Sequence, residues 1–308
     1  MFDSTDYRVV NQTWLDCVTT PGLEKRAADA ATDFTRMRVR EDGILRKVLP
    51  PIQVTNDKLV PDVESELPMM IIEKEPDSPA AISVPFGGSL PNDVYIRARK
   101  YRCLFSQVMS PRFRKDVNEL RTLSMDIRQV LSDNSIKDML TEEDDVLFNT
   151  VDGINGSQGA TVAATGNIQW RNIGGGISRT SLGDAKKIIP QGPSHLQAAT
   201  AVINNVSIHE VMKWGRDEVG GDFSQDMLMK GWSEQQFMNM NWIVTIKRTY
   251  VPDDSVYLFC DPKFTGKFFT LEDATMYVKA DGPMIEWYNY EVVSFTIGNF
   301  STVARADF

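Results

Sequence analysis

The sequence predicts an α+β fold in which one long helix is set against extended strands, and three observations carry that expectation. Apolar residues recur at three- and four-residue spacing from Val117 to Phe148, the pattern of a helix with one buried face. From Met284 to Phe300 the chain alternates with period two, as a half-buried strand does. The stretch from Arg46 to Lys100 carries prolines at 50, 51, 61, 68, 76, 79, 85 and 91, a density that excludes packed helix and leaves extended chain.

In chain order, residues 1–45 read as an arm with one short helix. Thr20-Pro21 supplies its cap and first position, Leu23, Ala27, Ala28 and Ala31 give a thin apolar stripe, and Gly43 ends the segment. Within 46–100, Pro68–Glu73 and Ala80–Pro85 read as two short strands around the turn cluster Glu75-Pro76-Asp77-Ser78-Pro79. So long a stretch of strand with little local core would expose its edges in an isolated chain, so another chain is expected to cover it.

Arg97 to Arg121 holds eight basic residues (97, 99, 100, 102, 112, 114, 115, 121) against Asp116 and Glu119. Three readings stay open for it: phosphate binding, pairing with acids at 138 and 142–145 of another subunit, or a solvated strand face. Ser110-Pro111 then reads as the cap and first position of the long helix, whose apolar spacing runs to Gly153 with a break near Asn134. Its length would be about 50 Å at 1.5 Å per residue.

Residues 152–193 are Gly-rich and read as loops and short hairpins. Ser194 is expected to open a second helix with Ala198, Val202, Ile203 and Val206 on its apolar face, and Phe223, Met227, Leu228 and Met229 a third. From Trp242 the period changes to two: Ile243, Val244 and Ile246 form one strand and Val256–Phe259 another, across the turn Val251-Pro252-Asp253-Asp254. No internal repeat of fixed period occurs.

Composition narrows the function. With 33 Lys plus Arg against 42 Asp plus Glu, the net charge of −9 argues against a surface built mainly to grip nucleic acid or anionic lipid. A mean hydropathy of −0.27 excludes a membrane bundle, and no window approaches the roughly 18 apolar residues that spanning a bilayer needs. The N-terminal residues carry no basic region followed by an apolar run, so no secretory signal is expected. Cys17, Cys103 and Cys260 are too few and too scattered for a disulfide framework or a metal knuckle.

Catalytic signatures fail at identifiable positions. His209-Glu210 begins like a zinc-protease helix, but Lys213 stands where the second histidine belongs. Gly266-Lys267 resembles the end of a phosphate loop, yet Asp261 replaces its first glycine and Phe268 its hydroxyl residue. There is no GxSxG elbow, and the calcium-like fragment Asp152–Ser157 lacks its later Glu. Glu142-Glu143-Asp144-Asp145 is expected to be a solvated helix face rather than an acid/base pair.

The element order of arm, Pro-rich extended loop, long helix, helix-and-strand region and long closing strands resembles the major capsid protein of tailed bacteriophages, the Hong Kong 97 type. The run Val130–Asp144 followed by Gly153 looks like the end of that family's spine helix. Asn241–Ile246, then Val251-Pro252-Asp253-Asp254 and Val256–Lys263, resembles its A-domain pattern, and Trp287–Phe300 its P-domain strands. The resemblance implies an N-arm at 1–45, an E-loop at 46–100, a P-domain with the spine helix at 101–159, an A-domain at 160–268 and P-domain return strands at 269–308.

The same resemblance implies function. The chain would self-assemble into pentamers and hexamers of an icosahedral shell around viral double-stranded DNA, without sequence-specific DNA contact. No catalytic residue, cofactor or metal is expected, and no membrane partner. The E-loop would lie over a neighbouring subunit's P-domain, with Met69, Met70, Ile71, Ile72, Ile82 and Val84 as buried faces and Arg97, Arg99, Lys100 and Arg102 near its base. A separate scaffolding protein, a portal and, as an open option, a decoration protein would be partners. The product would be a virion component assembled in the host cytoplasm. Two alternatives stay open: an encapsulin-like compartment that holds a cargo enzyme, and an enzyme working with carboxylates and lysine.

Overall fold

The computed structural model describes residues 7–32, 43–62, 64, 67–74, 85–88, 99–122, 127–192, 194–214 and 236–308. In chain order the helices are α1 (Tyr7–Thr19), α2 (24–32), α3 (Ile44–Val48), α4 (Val117–Arg121), α5 (Ile127–Asn155), α6 (Arg179–Lys186), α7 (Asn205–Met212) and α8 (Pro262–Thr265). The strands are β1 (Pro51–Gln53), β2 (Val60–Pro61), β3 (Pro68–Lys74), β4 (Arg99–Leu104), β5 (Ser106–Met109), β6 (Phe113–Asp116), β7 (Thr161–Val162), β8 (Asn167–Ile168), β9 (Trp170–Asn172), β10 (Thr200–Asn204), β11 (Gln236–Phe237), β12 (Met240–Thr245), β13 (Ser255–Phe259), β14 (Gly266–Asp281), β15 (Met284–Ile297) and β16 (Val303–Asp307).

A long hairpin of β14 and β15 organises the first sheet. The strands stay in antiparallel register from Gly266↔Ile297 to Asp281↔Met284, with irregularities around Glu272. Gly282 closes the tip at φ +60°, a left-handed turn position that suits a residue without Cβ. On β15 the period-two expectation holds from Trp287 to Val293, where the odd-numbered residues are buried and Tyr288, Tyr290 and Val292 half-buried; Glu286 and Ser294 are buried as well, and the strand ends at Ile297, short of Phe300, which opens a 3-10 turn. β1 pairs with β14 in parallel, and β5 and β6 pair one after the other with β15.

That pairing corrects the expected start of the long helix. Ser110-Pro111 is a break between β5 and β6 rather than a helix cap, because the backbone on both sides of it finds its partner on β15. The Ser110 N–H donates to the Asn289 carbonyl, and the Asn289 N–H to Ser110 Oγ, both at 2.9 Å. Asp116 is the real cap, accepting from the Asn118 N–H at 2.7 Å, but it opens the short α4. The long helix starts at Ile127, runs through Asn134 without a break, passes Gly153 and stops at Asn155, where Gly156 takes φ +72°. Its 29 residues span about 43 Å.

The second sheet has the order β11-β12-β10-β13-β16-β9, with β10–β12 and β16–β9 parallel. Here the helix expected from Ser194 gives way to β10, every residue of which is buried. A strand covered on both faces shows no polar alternation, so its apolar run reads equally well as helix. The helix begins only at Asn205, where Asn204 Oδ1 accepts from the Val206 N–H at 2.6 Å. The expected loop tract contains a helix too: α6 is opened by a reciprocal Ser178/Ser181 capping box. The expected strand at 256–259 is β13 and that at 243–246 is β12, both bordering β10 rather than each other. β16 also belongs to this sheet, so residues 303–307 do not lie with the strands that precede them.

Three layers result. α6 and α7 pack on one face of the six-stranded sheet, where Leu182, Ile188, Ile208 and Val211 meet Trp242, Leu258 and Ala304. The other face, with Val202, Tyr257 and Phe259, meets Leu147, Phe148 and Val151 of α5 and Leu45 and Val48 of α3. Nearer its start α5 lies on the hairpin, where Ile136, Met139 and Leu140 pack with Ala274. One helix therefore bridges both sheets.

The N-terminal arm is two helices instead of one. Trp14, Leu15 and Val18 of α1 and Ala27 and Ala31 of α2 pack on Met276, Val278, Ile285 and Trp287 at the far end of the hairpin. Thr20-Pro21 ends α1 rather than starting α2: the Thr20 hydroxyl donates to the Asp16 carbonyl at 2.6 Å, and Gly22 turns the chain at φ +92°. A short helix, α3, also opens the region expected to be free of helix. The second extended-loop strand (80–84) and the third expected helix (223–229) lie outside the described residues.

Candidate functional site

The ribbon β2-β3-β4 carries the expected contact residues. Its register pairs Met70 with Cys103, Ile71 with Arg102, Ile72 with Tyr101 and Lys74 with Arg99. Met70 and Ile72 turn toward the body of their own chain and pack with Val54, Cys103, Phe105 and Phe269. Met69 is 6% exposed, so it too is already covered within its own chain. Ile71 is different: at 43% exposed it stands with Leu104 (47%), Val60 (44%) and Leu67 (47%) as an uncovered apolar set. Lys100 and Arg102 are exposed, and Arg102 Nη1 lies 3.3 Å from Asp62 and 3.5 Å from Glu64. Arg99 is placed by its backbone pairing, while Ile82, Val84 and Arg97 lie outside the described residues. Under the ribbon a cavity of about 330 Å³ is lined by Ile72, Tyr101, Phe264 and Lys267, among others.

A second uncovered surface lies on the outer face of the hairpin. Tyr277 and Tyr288 are cross-strand partners with ring centroids 5.0 Å apart, and Tyr290 follows at 6.2 Å from Tyr288. The Arg112 guanidinium sits 5.7 Å from the Tyr288 centroid, and Met109, 51% exposed, is the register partner of Tyr290. Arg114 and Arg112 both approach Glu286. Arg102, Arg112 and Arg114 of the basic stretch thus have carboxylate partners in their own chain.

The acidic run is not a solvated face. Glu143 is 2% exposed and Asp144 is fully buried. Arg46 makes a two-point contact with Glu143 (Nε to Oε2 3.0 Å, Nη2 to Oε1 2.7 Å), and its Nη2 also donates to Glu291 Oε2 at 2.5 Å. Asp144 accepts the Ile44 and Leu45 N–H groups at 3.1 and 3.0 Å and the Lys247 ammonium at 2.6 Å. These bonds cap α3 and fasten it to α5. Burial, then the Glu143 charge, push the Glu291 carboxyl up to about 9, whereas Arg46 pulls it down. Burial likewise raises Asp144, and Lys247 opposes the shift. The sequence held the signal: 143 and 144 fall in the stripe of Ile136, Leu140, Leu147 and Phe148 at helical spacing. With both acids buried, they cannot serve as the partners of another subunit's basic stretch; Asp138 and Glu142 remain exposed.

A further polar knot joins the end of α5 to the six-stranded sheet. Arg305 stacks on Trp170 at 4.2 Å and on Tyr257 at 5.2 Å, and its Nη1 donates to Tyr257 Oη at 2.9 Å and to Asp152 at 3.2 Å. Burial and Asp152 push the Tyr257 phenol well above its ordinary value, so it is a donor here rather than a base. His195 and His209 are exposed. Among the described residues no group of three His, Cys, Asp or Glu is arranged to hold a metal, and no helix is long and apolar enough to cross a membrane.

No protein-family model matches the sequence, and neither does any curated protein. Solved structures do match. The capsid of an empty GTA particle aligns with a TM-score of 0.56 at 13% identity, over 86% of this chain and 89% of that one. The mature capsid of bacteriophage PhiM1 aligns at 0.55 and 9% identity, over 86% and 87%. A virus-like particle from Pyrococcus furiosus aligns at 0.51 and 12% identity, over 91% and 98%. Likeness that spans nearly the whole of each chain at so low an identity is likeness of backbone, and by it the chain has the Hong Kong 97-type capsid fold.

Proposed function

We propose that the chain is the major capsid protein of a tailed phage, forming pentamers and hexamers of a shell that encloses double-stranded DNA. The observation that supports this best is the ribbon. Ile71, Leu104, Val60 and Leu67 present an apolar surface that no described part of the same chain covers. In this reading β2-β3-β4 is the E-loop, α5 the spine helix, the five-stranded sheet the P-domain and the six-stranded sheet the A-domain. The ribbon's exposed face seats on the hairpin of a neighbour, where Tyr277, Tyr288, Met109 and Arg112 have the composition of an interface hot spot. The net charge of −9 suits a wall that surrounds DNA without holding it. A separate scaffolding protein and a portal complete the assembly, which takes place in the host cytoplasm.

The test is a double substitution, Ile71→Asp with Leu104→Asp. Subunits should keep their circular dichroism and melting temperature, while light scattering and negative-stain images lose megadalton particles. Normal shells from the double variant would overturn the assignment of this face. A second reading is a compartment that holds protein cargo, favoured by the near-complete overlap with the virus-like particle. Nuclease-protected DNA inside purified particles supports the phage reading; co-purifying protein cargo without DNA supports the other.

A further inference from the structure

We propose that Glu291 is held as a neutral carboxylic acid sharing one proton with Glu143, and that this proton locks the long helix α5 to strand β15. The argument begins with charge. Among the described residues four acids gather here, Glu143 and Asp144 from α5, Glu291 from β15 and Asp273 from β14, and two bases face them, Arg46 from α3 and Lys247. Lys247 is matched by Asp144, at 2.6 Å. Among the described residues Arg46 is the cation that contacts both Glu143 and Glu291, and it also lies 3.8 Å from Asp273. Water cannot spread the surplus, because Arg46, Glu143 and Glu291 are 5%, 2% and 0% exposed. A proton shared between the two carboxyls is a countercharge that fits so small and dry a site.

Hydrogen bonding says which carboxyl carries it. Arg46 engages both oxygens of Glu143, Oε1 at 2.7 Å and Oε2 at 3.0 Å, so that group is satisfied as an anion. Glu291 receives Arg46 at Oε2 only, and its Oε1 is buried with no partner. A bare carboxylate oxygen sealed from water is costly, whereas a protonated Glu291 becomes a hydrogen-bond donor with the Glu143 side chain as its partner. Protonated, Glu291 ties β15 to α5. Ionised, it sets two like charges against one another at the same joint.

The sign of the pH dependence follows. The folded chain keeps this proton up to about pH 9, whereas an unfolded one releases it near 4.5. The contribution to stability is therefore full below 4.5, declines as pH rises toward 9 and then levels off. At full linkage one retained proton changes the folding constant by about tenfold per pH unit.

Infrared spectra of the full-length chain, made with isotope-labelled glutamate, test this directly. At pH 7 wild type should show a carboxylic C=O band that disappears as pH crosses about 9. Glu291→Gln should lack that band, and its melting temperature should fall less than that of wild type between pH 5 and 9. Glu143→Gln removes the competing charge and should shift loss of the band to lower pH. Absence of a protonated glutamate in wild type at pH 7 overturns the proposal whether or not either variant folds. So do parallel melting profiles for wild type and Glu291→Gln.

Discussion

Replacing Arg46 by Met should cost more than an ordinary core substitution. The side chain is 5% exposed and makes three short contacts, two to Glu143 and one to Glu291. Methionine fills much of the same volume, so packing changes little while Glu143, at 2% exposed, keeps its charge without a cation. Breaking a buried pair in this way costs about 3–5 kcal/mol, because the surviving ion is neither solvated nor matched. At roughly 2 °C per kcal/mol for a large domain, the melting temperature should fall by about 6–10 °C. The informative comparison is the triple variant Arg46→Met, Glu143→Leu, Glu291→Met. It removes all three charges together and should recover most of the loss, since buried ion clusters replaced by apolar groups of similar volume are often neutral or stabilising. Differential scanning calorimetry of unassembled subunits at pH 7 reads both. The reasoning fails if the single variant melts within 2 °C of wild type, or if the triple variant melts below the single one.

Two further outcomes can be checked cheaply. Gly266→Ala should disrupt the root of the hairpin, because a Cβ there would lie 3.0 Å from Ile297 Cα and closer still to the Thr296 carbonyl oxygen, both of them backbone; a cost of about 3 kcal/mol or more in urea unfolding is expected, and a wild-type midpoint would contradict the strand register. Brief alkylation at pH 8 followed by mass spectrometry should modify half-exposed Cys17 first: Cys103 and Cys260 are buried, and burial with Asp261 pushes the Cys260 thiol up to about 12, so early labelling of Cys260 would refute its placement.

What the sequence revealed depended on whether the deciding contact was local. Ile136, Met139, Leu140 and Leu147 announce a helix by spacing alone, and Tyr288 and Tyr290 alternate visibly with Trp287 and Asn289. Ser110-Pro111 looked like a helix cap because its true partner, Asn289, lies 179 residues away. β10 reads as helix because burial on both faces erases the alternation that marks a strand. The charge of Glu143 and Asp144 points to solvent while their place in the apolar stripe points inward, and for Glu143 the cation that makes burial possible, Arg46, comes from 97 residues upstream. At the ribbon, the sequence groups Met69, Met70, Ile71 and Ile72 as one buried set, and only the pairing of β3 with β4, some thirty residues on, turns Met70 and Ile72 toward their own chain and leaves Ile71 exposed.

The ties of α3, β1 and β5 to the hairpin also set a timetable. Arg46 must wait for Glu291, 245 residues later, which at about 5–20 residues per second of synthesis is roughly 10–50 s. Until β14 and β15 emerge, Ile136, Met139 and Leu140 of α5 and the edges of β1, β5 and β6 lack the strands that cover them. Contacts so far apart in sequence close slowly even once the chain is complete. The nascent chain should therefore be a better client for holding chaperones than the finished subunit, and its exposure should end abruptly when the hairpin is made.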